Sequence, residues 1–360
     1  MAKRKSIMLL ITYKCNLRCS YCYEPKEQGF KMTVSKAKQI ITEELELLDP
    51  QDSVEIQFMG GEPLLEFQFI KEISEWLWNK GFDTDDNMLF APTNGTLLTD
   101  EMKAWFASNN NRITLGLSFD GDITMQNKNR SNSFKKVDLK YFVETWPDQS
   151  VKMTVSPSTV SSLSEGVKYL HSIGFRYIST DLAMGPDLQW NREELAAYKR
   201  ELDKLSEYYV EHPDIIPFSM LRLDINKAII PADQQHAKTC DCGENLVCAD
   251  WTGQKYACHL FSPISLPVDK ANKSNKLYDF HNHKQFYSQA CAKCILYNIC
   301  PHCYGMNYLC TGDATKPSSS LCRAFRLQFV ANCQFHLRIA TRDNDTKHLE
   351  TVNRVISNLK

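Results

Sequence analysis

The chain carries the stretch CNLRCSYC at residues 15–22, directly after the apolar segment Ser6–Thr12. Its three cysteines, Cys15, Cys19 and Cys22, have the spacing C-x3-C-x2-C. Three thiolates on one short loop can hold three corners of a [4Fe–4S] cube and leave the fourth iron open. Zinc is the alternative, but it more often uses paired C-x2-C units and a fourth ligand nearby. The stretch therefore predicts an iron–sulfur cluster at the end of a first β-strand.

The number and placement of the cysteines support this prediction. The chain has 360 residues, 14 cysteines, a formal net charge of −1 and 43% hydrophobic residues. After residue 22 the next cysteine is Cys240, and ten more follow by Cys333. No signal peptide or membrane-spanning segment is visible, so we expect a cytoplasmic protein, in which metal ligation is the usual role of so many thiols. The charge balance gives no sign of nucleic acid or membrane as a partner.

The N-terminal part alternates between strand-like and helix-like patterns. Strand-like segments are predicted at Ser6–Thr12, Val54–Met59, Met88–Ala91, Ile113–Leu117, Val151–Val155 and Tyr177–Thr180. Helical spacing of apolar residues is found at Thr33–Leu48, Leu65–Asn79, Thr99–Ala107, Leu163–Ser172 and Glu193–Glu211. Six strands in this order predict the α/β class, as a partial (β/α)6 TIM-like barrel with a parallel sheet.

Polar motifs follow the predicted strands. They are GGEP at residues 60–63, TNG at 93–95, SFDG at 118–121 and SPS at 156–158. Parallel barrels place their chemistry at the C-terminal ends of the strands. We therefore expect these motifs and the cysteine stretch to share one face.

The chain changes character from about Leu221 onward, where long periodic segments are few and Cys, Gly, Pro and His are frequent. We predict a barrel domain at 1–215, a linker at 216–235, an irregular cysteine-rich domain at 236–345 and a tail or helix at 346–360. A segment this irregular needs cross-links, and metal clusters can supply them.

The cysteine stretch, with an aromatic residue before its last cysteine, the GGEP turn and the barrel order together resemble the radical S-adenosylmethionine superfamily over roughly residues 5–215. The resemblance implies that the open iron binds S-adenosyl-L-methionine, whose reductive cleavage yields a 5′-deoxyadenosyl radical. It implies that the cofactor is bound by Tyr21, Gly60, Gly61, Glu62, Asn94, Ser118 and Arg130. Glycines permit close backbone approach, and the glutamate accepts from an ammonium. For the arginine, a surface position is the alternative.

The resemblance also implies two catalytic residues near the substrate. Asp120 would lie at the mouth of the barrel, with a turn aspartate before Gly121 as the alternative. His259 directly follows Cys258, so a cluster there would hold it near the substrate cavity.

The C-terminal cysteines resemble the SPASM domain, which holds auxiliary clusters in many peptide-modifying members. The resemblance implies one [4Fe–4S] cluster held by Cys242, Cys248, Cys258 and Cys303. It implies another held by Cys291, Cys294, Cys300 and Cys322, which makes three [4Fe–4S] clusters in the chain. The family pattern puts three residues before the cysteine at 303 and this chain has two, so Cys310 is the alternative ligand. Two zinc sites are the alternative for the whole domain, and a small buried residue is the expectation for Cys333.

The function implied is that of an oxidoreductase that modifies a ribosomally synthesised peptide, by forming a thioether or other cross-link or by oxidising a residue. The alternative is an anaerobic sulfatase-maturing enzyme that forms formylglycine. Those enzymes carry an aspartate where this chain has His259. A non-enzymatic iron–sulfur carrier is the third hypothesis, and it leaves the GGEP turn without a purpose.

The expected partners are the precursor peptide and a reductant such as flavodoxin or ferredoxin. Many relatives carry a leader-binding domain before the barrel, and fourteen residues precede Cys15 here. We therefore expect either that the leader binds the barrel and cluster domain directly or that a separate leader-binding protein presents it.

Overall fold

The computed structural model describes residues 3–24, 29–82, 87–230, 240–286, 288–301 and 303–358. The chain divides into two compact units, each assembled from distant parts of the sequence. Unit 1 comprises Met1–Ser118, Arg130–Gln149 and Asp241–Asn282, and unit 2 comprises Phe119–Asn129, Ser150–Cys240 and His283–Lys360. The domain boundaries drawn from composition stay a prediction, and residues 231–239, around the predicted linker's end, lie outside the described residues.

The strands are β1 Arg4–Thr12, β2 Ser53–Gly60, β3 Met88–Thr93, β4 Ile113–Leu117, β5 Val151–Val155, β6 Ile178–Leu182, β7 Leu246–Ala249 and β8 Lys255–Tyr256. The helices are α1 Val34–Leu45, α2 Phe67–Asn79, α3 Asp100–Ser108, α4 Ile123–Asn129, α5 Leu139–Thr145, α6 Leu163–Ile173, α7 Arg192–Glu211, α8 Val268–Leu277, α9 Gln289–Ala292, α10 Tyr304–Thr311, α11 Ser319–Arg342 and α12 Thr346–Ser357.

Unit 1 is built on one sheet with the strand order β4-β3-β2-β1-β7-β8. All neighbouring strands are parallel except β7 and β8, which are antiparallel. The central strand β1 buries every residue of the run Ile7–Ile11, as expected for a parallel strand covered on both faces. Because the strands are parallel, their C-terminal ends lie along one edge, where the cysteine stretch and the polar motifs follow β1 to β4.

The helices of unit 1 begin where the sequence supplies a side-chain cap. Thr33 Oγ1 accepts a hydrogen bond from the Lys36 amide at 3.2 Å, and Thr99 Oγ1 accepts from the Met102 amide at 3.3 Å. Each hydroxyl satisfies one of the amides left open at a helix start. These caps place α1 and α3 after the loops that carry the cysteine stretch and the TNG motif.

Unit 2 contains the parallel pair β5–β6 and the longest helices. The 24-residue helix α11 packs along α7 and α12. Asn191 and Glu194 form a reciprocal capping box at the start of α7. The region after Leu221, which is expected to hold few long periodic segments, also contains α11 and α12, and these two helices pack together.

The predicted α/β class with a mostly parallel sheet is confirmed, and the predicted strands coincide with β1 to β6 within a few residues. The sequence did not indicate that β7, from the cysteine-rich region, pairs with β1 in the same sheet. Within the described part of the chain, no helix is long and apolar enough to span a membrane.

Candidate active site and metal centres

The first cysteine group consists of Cys15, Cys19 and Cys22, on the loop that leaves β1, and all three side chains are half-buried. The Cys22 amide donates to the Cys19 carbonyl oxygen at 3.1 Å, which closes a tight turn. The Leu17 amide donates to the Cys15 sulfur at 3.5 Å and fixes its orientation. These two hydrogen bonds fix the backbone of the loop that carries the three thiols.

Hydrogen bonds hold this loop from two directions. Asn94 Nδ2 donates to Asn16 Oδ1 at 2.9 Å, and Asn16 Nδ2 donates to Thr96 Oγ1 at 2.8 Å. On the other side, the Arg18 amide donates to Ser131 Oγ at 2.8 Å. The predicted cofactor residue Asn94, which is buried, thus also orients the cysteine loop.

The two glycines of the GGEP turn lie directly against the cysteine loop. The Gly61 amide donates to the Thr12 carbonyl oxygen at 3.0 Å, and the Glu62 amide donates to the Lys14 carbonyl oxygen at 2.8 Å. A Cβ atom on Gly61 would lie 2.7 Å from the Lys14 carbonyl carbon and 3.0 Å from Cys15 Cβ. Only glycine leaves room for this approach, so the turn and the first cysteine group form one structural piece.

Glu62 is fully buried and holds the turn to the loop after β3. Its Oε1 accepts from the Leu64 amide at 3.0 Å and from Thr93 Oγ1 at 2.8 Å, and its Oε2 accepts from the Asn94 amide at 2.8 Å. Burial raises the pKa of this carboxyl group, and the three donors and the charge of Arg130 oppose the rise. A carboxylate has about four acceptor positions, so one position remains for the predicted ammonium contact.

Arg130 lies inside unit 1, only 6% exposed, so the surface alternative for this residue is wrong. Its guanidinium carbon lies 5.5 Å from the centre of the Tyr21 ring, within cation–π range. Since its charge also acts on Glu62, the structure brings together Tyr21, Glu62 and Arg130. Ser118 directly follows β4 and is tied to β3 by its amide, which donates to the Thr93 carbonyl oxygen at 2.8 Å.

Asp120 belongs to unit 2 and is fully buried rather than exposed at a barrel mouth. Its Oδ1 accepts from the Thr154 amide at 2.8 Å, and its Oδ2 accepts from Asn129 Nδ2 at 3.1 Å. The carboxylate therefore joins β5 to the end of α4. This geometry explains a structural role and gives no support to the predicted catalytic one.

The second cysteine group consists of Cys242, Cys248 and Cys258, all buried in unit 1. Cys248 lies on β7 opposite Met8 of β1, and Cys258 follows β8. Burial raises the pKa of the Cys248 thiol well above its usual value, and the nearby Cys258 raises it further. Buried thiols of this kind lose their protons when a metal binds.

His259 contacts the loop of the first cysteine group. Its Nε2 lies 3.0 Å from the hydroxyl oxygen of Tyr23, the residue after Cys22. Burial lowers the pKa of His259 to about 4, so the ring is neutral at pH 7. This hydrogen bond joins Tyr23, which follows the first cysteine group, to His259, which follows Cys258.

Two buried polar atoms in this region, Tyr13 Oη and His259 Nδ1, have no hydrogen-bond partner among the described residues. An unpaired buried polar atom costs about 1–3 kcal/mol. A thiolate or sulfide sulfur of an iron–sulfur cluster can accept a hydrogen bond from the Tyr13 hydroxyl group. The residues around the second cysteine group thus fit a cluster.

The third cysteine group consists of Cys291, Cys294, Cys300 and Cys322, which line one cavity of about 500 Å³ in unit 2. Burial, followed by the nearby Cys322, Cys294 and Cys291, raises the pKa of the Cys300 thiol to about 12. Thr180 Oγ1, on the same wall, has no partner within the described part of the chain. Four thiols that line one cavity and an open hydroxyl group fit a cluster here as well.

Cys303 lines this same cavity, although the resemblance groups it with the second set. Its sulfur accepts a hydrogen bond from the Met306 amide at 3.4 Å and so caps α10. Cys310, the alternative ligand, is half-buried, and burial raises the pKa of its thiol. Cys333 is buried among Phe325, Phe329 and Val352, as expected for a structural residue.

The zinc alternative gains no support from the spacing of the side chains. A single zinc ion binds each thiolate at about 2.3 Å, so its ligands must lie close together. Among the described residues, no group of three or more His, Cys, Asp or Glu converges closely enough for one metal ion. A [4Fe–4S] cube binds each thiolate through a different iron and accommodates wider spacing.

Three contributing residues were not identified from the sequence. Tyr23 could have been noticed because it directly follows Cys22, but its partner His259 is 236 positions away. Tyr13 precedes the cysteine stretch, and nothing in the local sequence distinguishes it from an ordinary apolar residue. Ser131 carries no local signal except that it has a positive φ of 54° in the structure.

Comparison with known proteins identifies the family. Residues 9–198 match the Radical SAM superfamily. The uncharacterized protein MJ0907 of Methanocaldococcus jannaschii is 30% identical over 184 residues, 49% of this chain and 62% of its own length. A cysteine-type anaerobic sulfatase-maturating enzyme of Clostridium novyi is 25% identical over 195 residues, 48% of this chain and 50% of its own length. The chain spans less than two thirds of either relative.

Two solved structures share the fold. Native anSMEcpe with bound AdoMet and the Cp18Cys peptide has a TM-score of 0.70 at 18% identity, covering 96% of this chain and all of the other. Streptococcus suis SuiB bound to precursor peptide SuiA has a TM-score of 0.62 at 16% identity, covering 89% of this chain and 76% of the other. These similarities confirm the predicted fold class.

The chain belongs to the Radical SAM superfamily, since the family match covers more than half of it. Membership implies a [4Fe–4S] cluster and S-adenosylmethionine as cofactors. The first cysteine group and the surrounding turn fit these cofactors, and the individual ligand assignments stay predictions.

Proposed function

We propose that this chain modifies a ribosomally synthesised peptide by radical chemistry, using three [4Fe–4S] clusters. The observation that carries the proposal is the shared sheet of unit 1. Strand β1 leads into the first cysteine group, and its neighbour β7 carries Cys248 of the second. A chain that only cleaved S-adenosylmethionine would need the first group alone, whereas net oxidation of a peptide requires a further route for an electron.

The residues of unit 1 would act mainly by binding and orientation. When bound, the first cluster and S-adenosylmethionine supply a 5′-deoxyadenosyl radical that abstracts hydrogen from the substrate. Glu62 offers its remaining acceptor position to the cofactor's ammonium, and Arg130 offers its guanidinium to the carboxylate. The glycines at 60 and 61 keep these groups close to the cysteine loop.

His259 is the residue we propose for contact with the peptide. Its ring is fixed on one side by the Tyr23 hydroxyl, and its Nδ1 has no partner in the described part of the chain. A neutral ring held in one orientation can accept or donate a proton at a defined point. Asp120 is a weaker candidate because its carboxylate is occupied within unit 2.

Formylglycine formation on a sulfatase is the second candidate function. It is favoured by the Clostridium novyi relative, which is named a sulfatase-maturating enzyme, and by the fold shared with anSMEcpe. Against it stands His259, because the resemblance places an aspartate after the equivalent of Cys258. SuiB, whose structure holds a precursor peptide, favours the first candidate.

Mass spectrometry after anaerobic co-expression distinguishes the two functions. A short Cys-, Ser- or aromatic-rich reading frame beside the gene supplies the peptide, and a sulfatase-derived peptide serves for comparison. Loss of hydrogen from the first peptide supports a cross-link or oxidised residue, and an aldehyde on the second supports maturation. If neither peptide changes mass while 5′-deoxyadenosine is released, the proposed substrate class is wrong.

Two cysteine variants test whether the second group serves the reaction. Cys258→Ala should stop peptide modification but spare 5′-deoxyadenosine release, because the first cluster would be ligated by its own three cysteines. Cys333→Ala, a matched change in the apolar core of unit 2, should retain both. A folded Cys258→Ala protein that lacks one cluster and still modifies peptide at the normal rate would show that this cluster is only structural.

The remaining partners are proposed on the same chemical grounds. Reductive cleavage needs a low-potential one-electron donor, such as flavodoxin or ferredoxin. The reduced thiols that clusters require suit the cytoplasm. A separate leader-binding protein is proposed as the alternative to direct binding of the leader.

A further inference from the structure

The two residues that follow Arg130 form a strained turn. Ser131 and Asn132 both have a φ of 54°, in the left-handed region that residues with a Cβ atom rarely adopt. Asparagine is one of the few residues that tolerate this conformation, whereas serine has no such preference. A strained backbone persists only where neighbouring groups impose it, and such positions are frequent at ligand-binding sites. The conformation of Ser131 therefore requires a contact that holds it.

The cysteine loop supplies this contact. The Arg18 amide donates a hydrogen bond to Ser131 Oγ at 2.8 Å. Arg18 directly precedes Cys19, so the bond attaches Ser131 to the middle of the loop that carries the first cysteine group. A negative φ at Ser131 would rotate its Cβ atom and hydroxyl group away from the Arg18 amide. The left-handed conformation and the hydrogen bond thus depend on each other.

Arg130 contacts the same loop at a second point. Its guanidinium carbon lies 5.5 Å from the centre of the Tyr21 ring, and Tyr21 directly precedes Cys22. The attraction between a ring and a cation is modest, and an arginine side chain loses much rotational freedom when it is fixed. The contact with Tyr21 is therefore a weak restraint on the guanidinium, and the attachment of the neighbouring Ser131 adds a second one.

We propose that Ser131 is a positioning residue for Arg130, because its hydroxyl group holds the strained turn on the cysteine loop and so keeps the guanidinium oriented toward the carboxylate of S-adenosylmethionine. The inference rests on the proposed contact between Arg130 and this carboxylate. A guanidinium binds a carboxylate through two parallel hydrogen bonds, so the strength of the pair depends on orientation. Without the hydroxyl group the turn can relax to a negative φ, and ordering Arg130 again then reduces the affinity.

The test is anaerobic binding of S-adenosylmethionine to the reconstituted, full-length protein. Ser131→Ala removes the acceptor of the Arg18 amide, and it should weaken binding about threefold to tenfold, the effect of one hydrogen bond. Ser131→Gly removes the same hydroxyl group but adopts the left-handed conformation without steric cost. It should weaken binding at least as much, and it carries the test if the alanine variant does not fold. In both variants, mass spectrometry should show faster hydrogen exchange in the peptide that contains residue 18.

A double-mutant cycle with Arg130→Gln determines whether Ser131 acts through Arg130. If it does, Ser131→Ala should weaken binding in the wild-type background and change it by less than about twofold in the Arg130→Gln background. A merely structural role of Ser131 would lower the affinity by the same factor in both backgrounds, and that result would overturn the inference. Arg130→Lys replaces the glutamine variant in the cycle if that variant does not fold.

Thr99→Ala is the matched control. It also removes a hydroxyl group that accepts a backbone amide in unit 1, here the amide of Met102, so it should lower stability and leave the affinity unchanged. Unchanged affinity in both Ser131 variants, together with weaker binding by Arg130→Gln, would refute the positioning role and leave the proposed function standing. Unchanged affinity in Arg130→Gln would refute the proposed carboxylate contact and this inference with it.

Discussion

Replacing Gly61 by alanine tests whether the GGEP turn must lie against the cysteine loop. The added Cβ would lie 2.7 Å from the Lys14 carbonyl carbon, against about 3.5 Å for two carbon atoms in contact. It would lie closer still to the Lys14 carbonyl oxygen, which already accepts from the Glu62 amide. The crowded atoms belong to the backbone, so no side chain can rotate away to relieve the strain.

Overpacking of this kind costs about 1–3 kcal/mol, and a clash with backbone belongs at the upper end of that range. The strain must appear as lower stability or as displacement of the first cysteine group. If all of it falls on cofactor binding, about 3 kcal/mol corresponds to roughly a hundredfold weaker affinity for S-adenosylmethionine. We therefore expect Gly61→Ala to fold with reduced stability and to lose most 5′-deoxyadenosine release.

Gly29→Ala provides a matched control on the same neighbouring residue. A Cβ there meets only the end of the flexible Lys14 side chain, at 3.7 Å. This substitution should change the free energy of unfolding by less than about 0.5 kcal/mol. The assays are anaerobic binding of S-adenosylmethionine and chromatography of released 5′-deoxyadenosine. Wild-type affinity and release in Gly61→Ala would refute the argument that the turn and the loop form one piece.

Four further predictions concern the cysteine groups and Glu62. Alanine at any cysteine of the first group should abolish 5′-deoxyadenosine release while most other iron stays bound, which iron analysis beside the release assay checks. The reconstituted wild-type chain should bind about twelve irons and twelve sulfides, and stoichiometric zinc in an anaerobic preparation would contradict this. Glu62→Gln turns an amide donor toward the Asn94 amide and should lower stability by about 1–3 kcal/mol in urea unfolding. Cys303→Ser should keep the cap of α10, whereas Cys303→Ala should cost about 1 kcal/mol, and equal stability of the two would count against the cap.

Local patterns in the sequence predicted the elements that depend on local physics. The apolar segments Ile113–Leu117 and Val151–Val155 coincide with β4 and β5, and Thr33, where the helical spacing begins, is the N-cap of α1. Strand propensity, helical spacing and capping act over a few residues, so one sequence is enough to recognise them. The pairing of β7 with β1 could not be recognised in this way, because a four-residue apolar run does not indicate its neighbour.

The same difference between local signals and distant partners applies to the residues of the candidate site. The spacing of residues 15–22 and the GGEP motif indicated the cofactor region, because each is a short motif with its own chemistry. The burial of Arg130 and of Asp120 depends on partners far along the chain, such as the Thr154 amide that Asp120 accepts from. An aspartate before a glycine has the same local sequence in an exposed turn and in a buried strand connection. The burial of Asp120 could be recognised only once those partners were known.

The architecture of unit 1 also bears on how the second cysteine group came to be buried. Three independent contacts join residues 241–282 to the first strand, the first helix and the segment between them: the β1–β7 pairing, the stacking of Trp251 on Phe30, and the ion pair of Lys255 with Glu44 at 2.6 Å. Glu44 is 3% exposed and also pairs with Lys5 of β1 at 2.5 Å. Without β7, the edge of β1 would leave backbone groups and the side chains beside Ile7 and Leu9 unprotected. The segment that carries the second cysteine group therefore completes the sheet that carries the first, and any metal bound by Cys248 stabilises the strand that leads to Cys15.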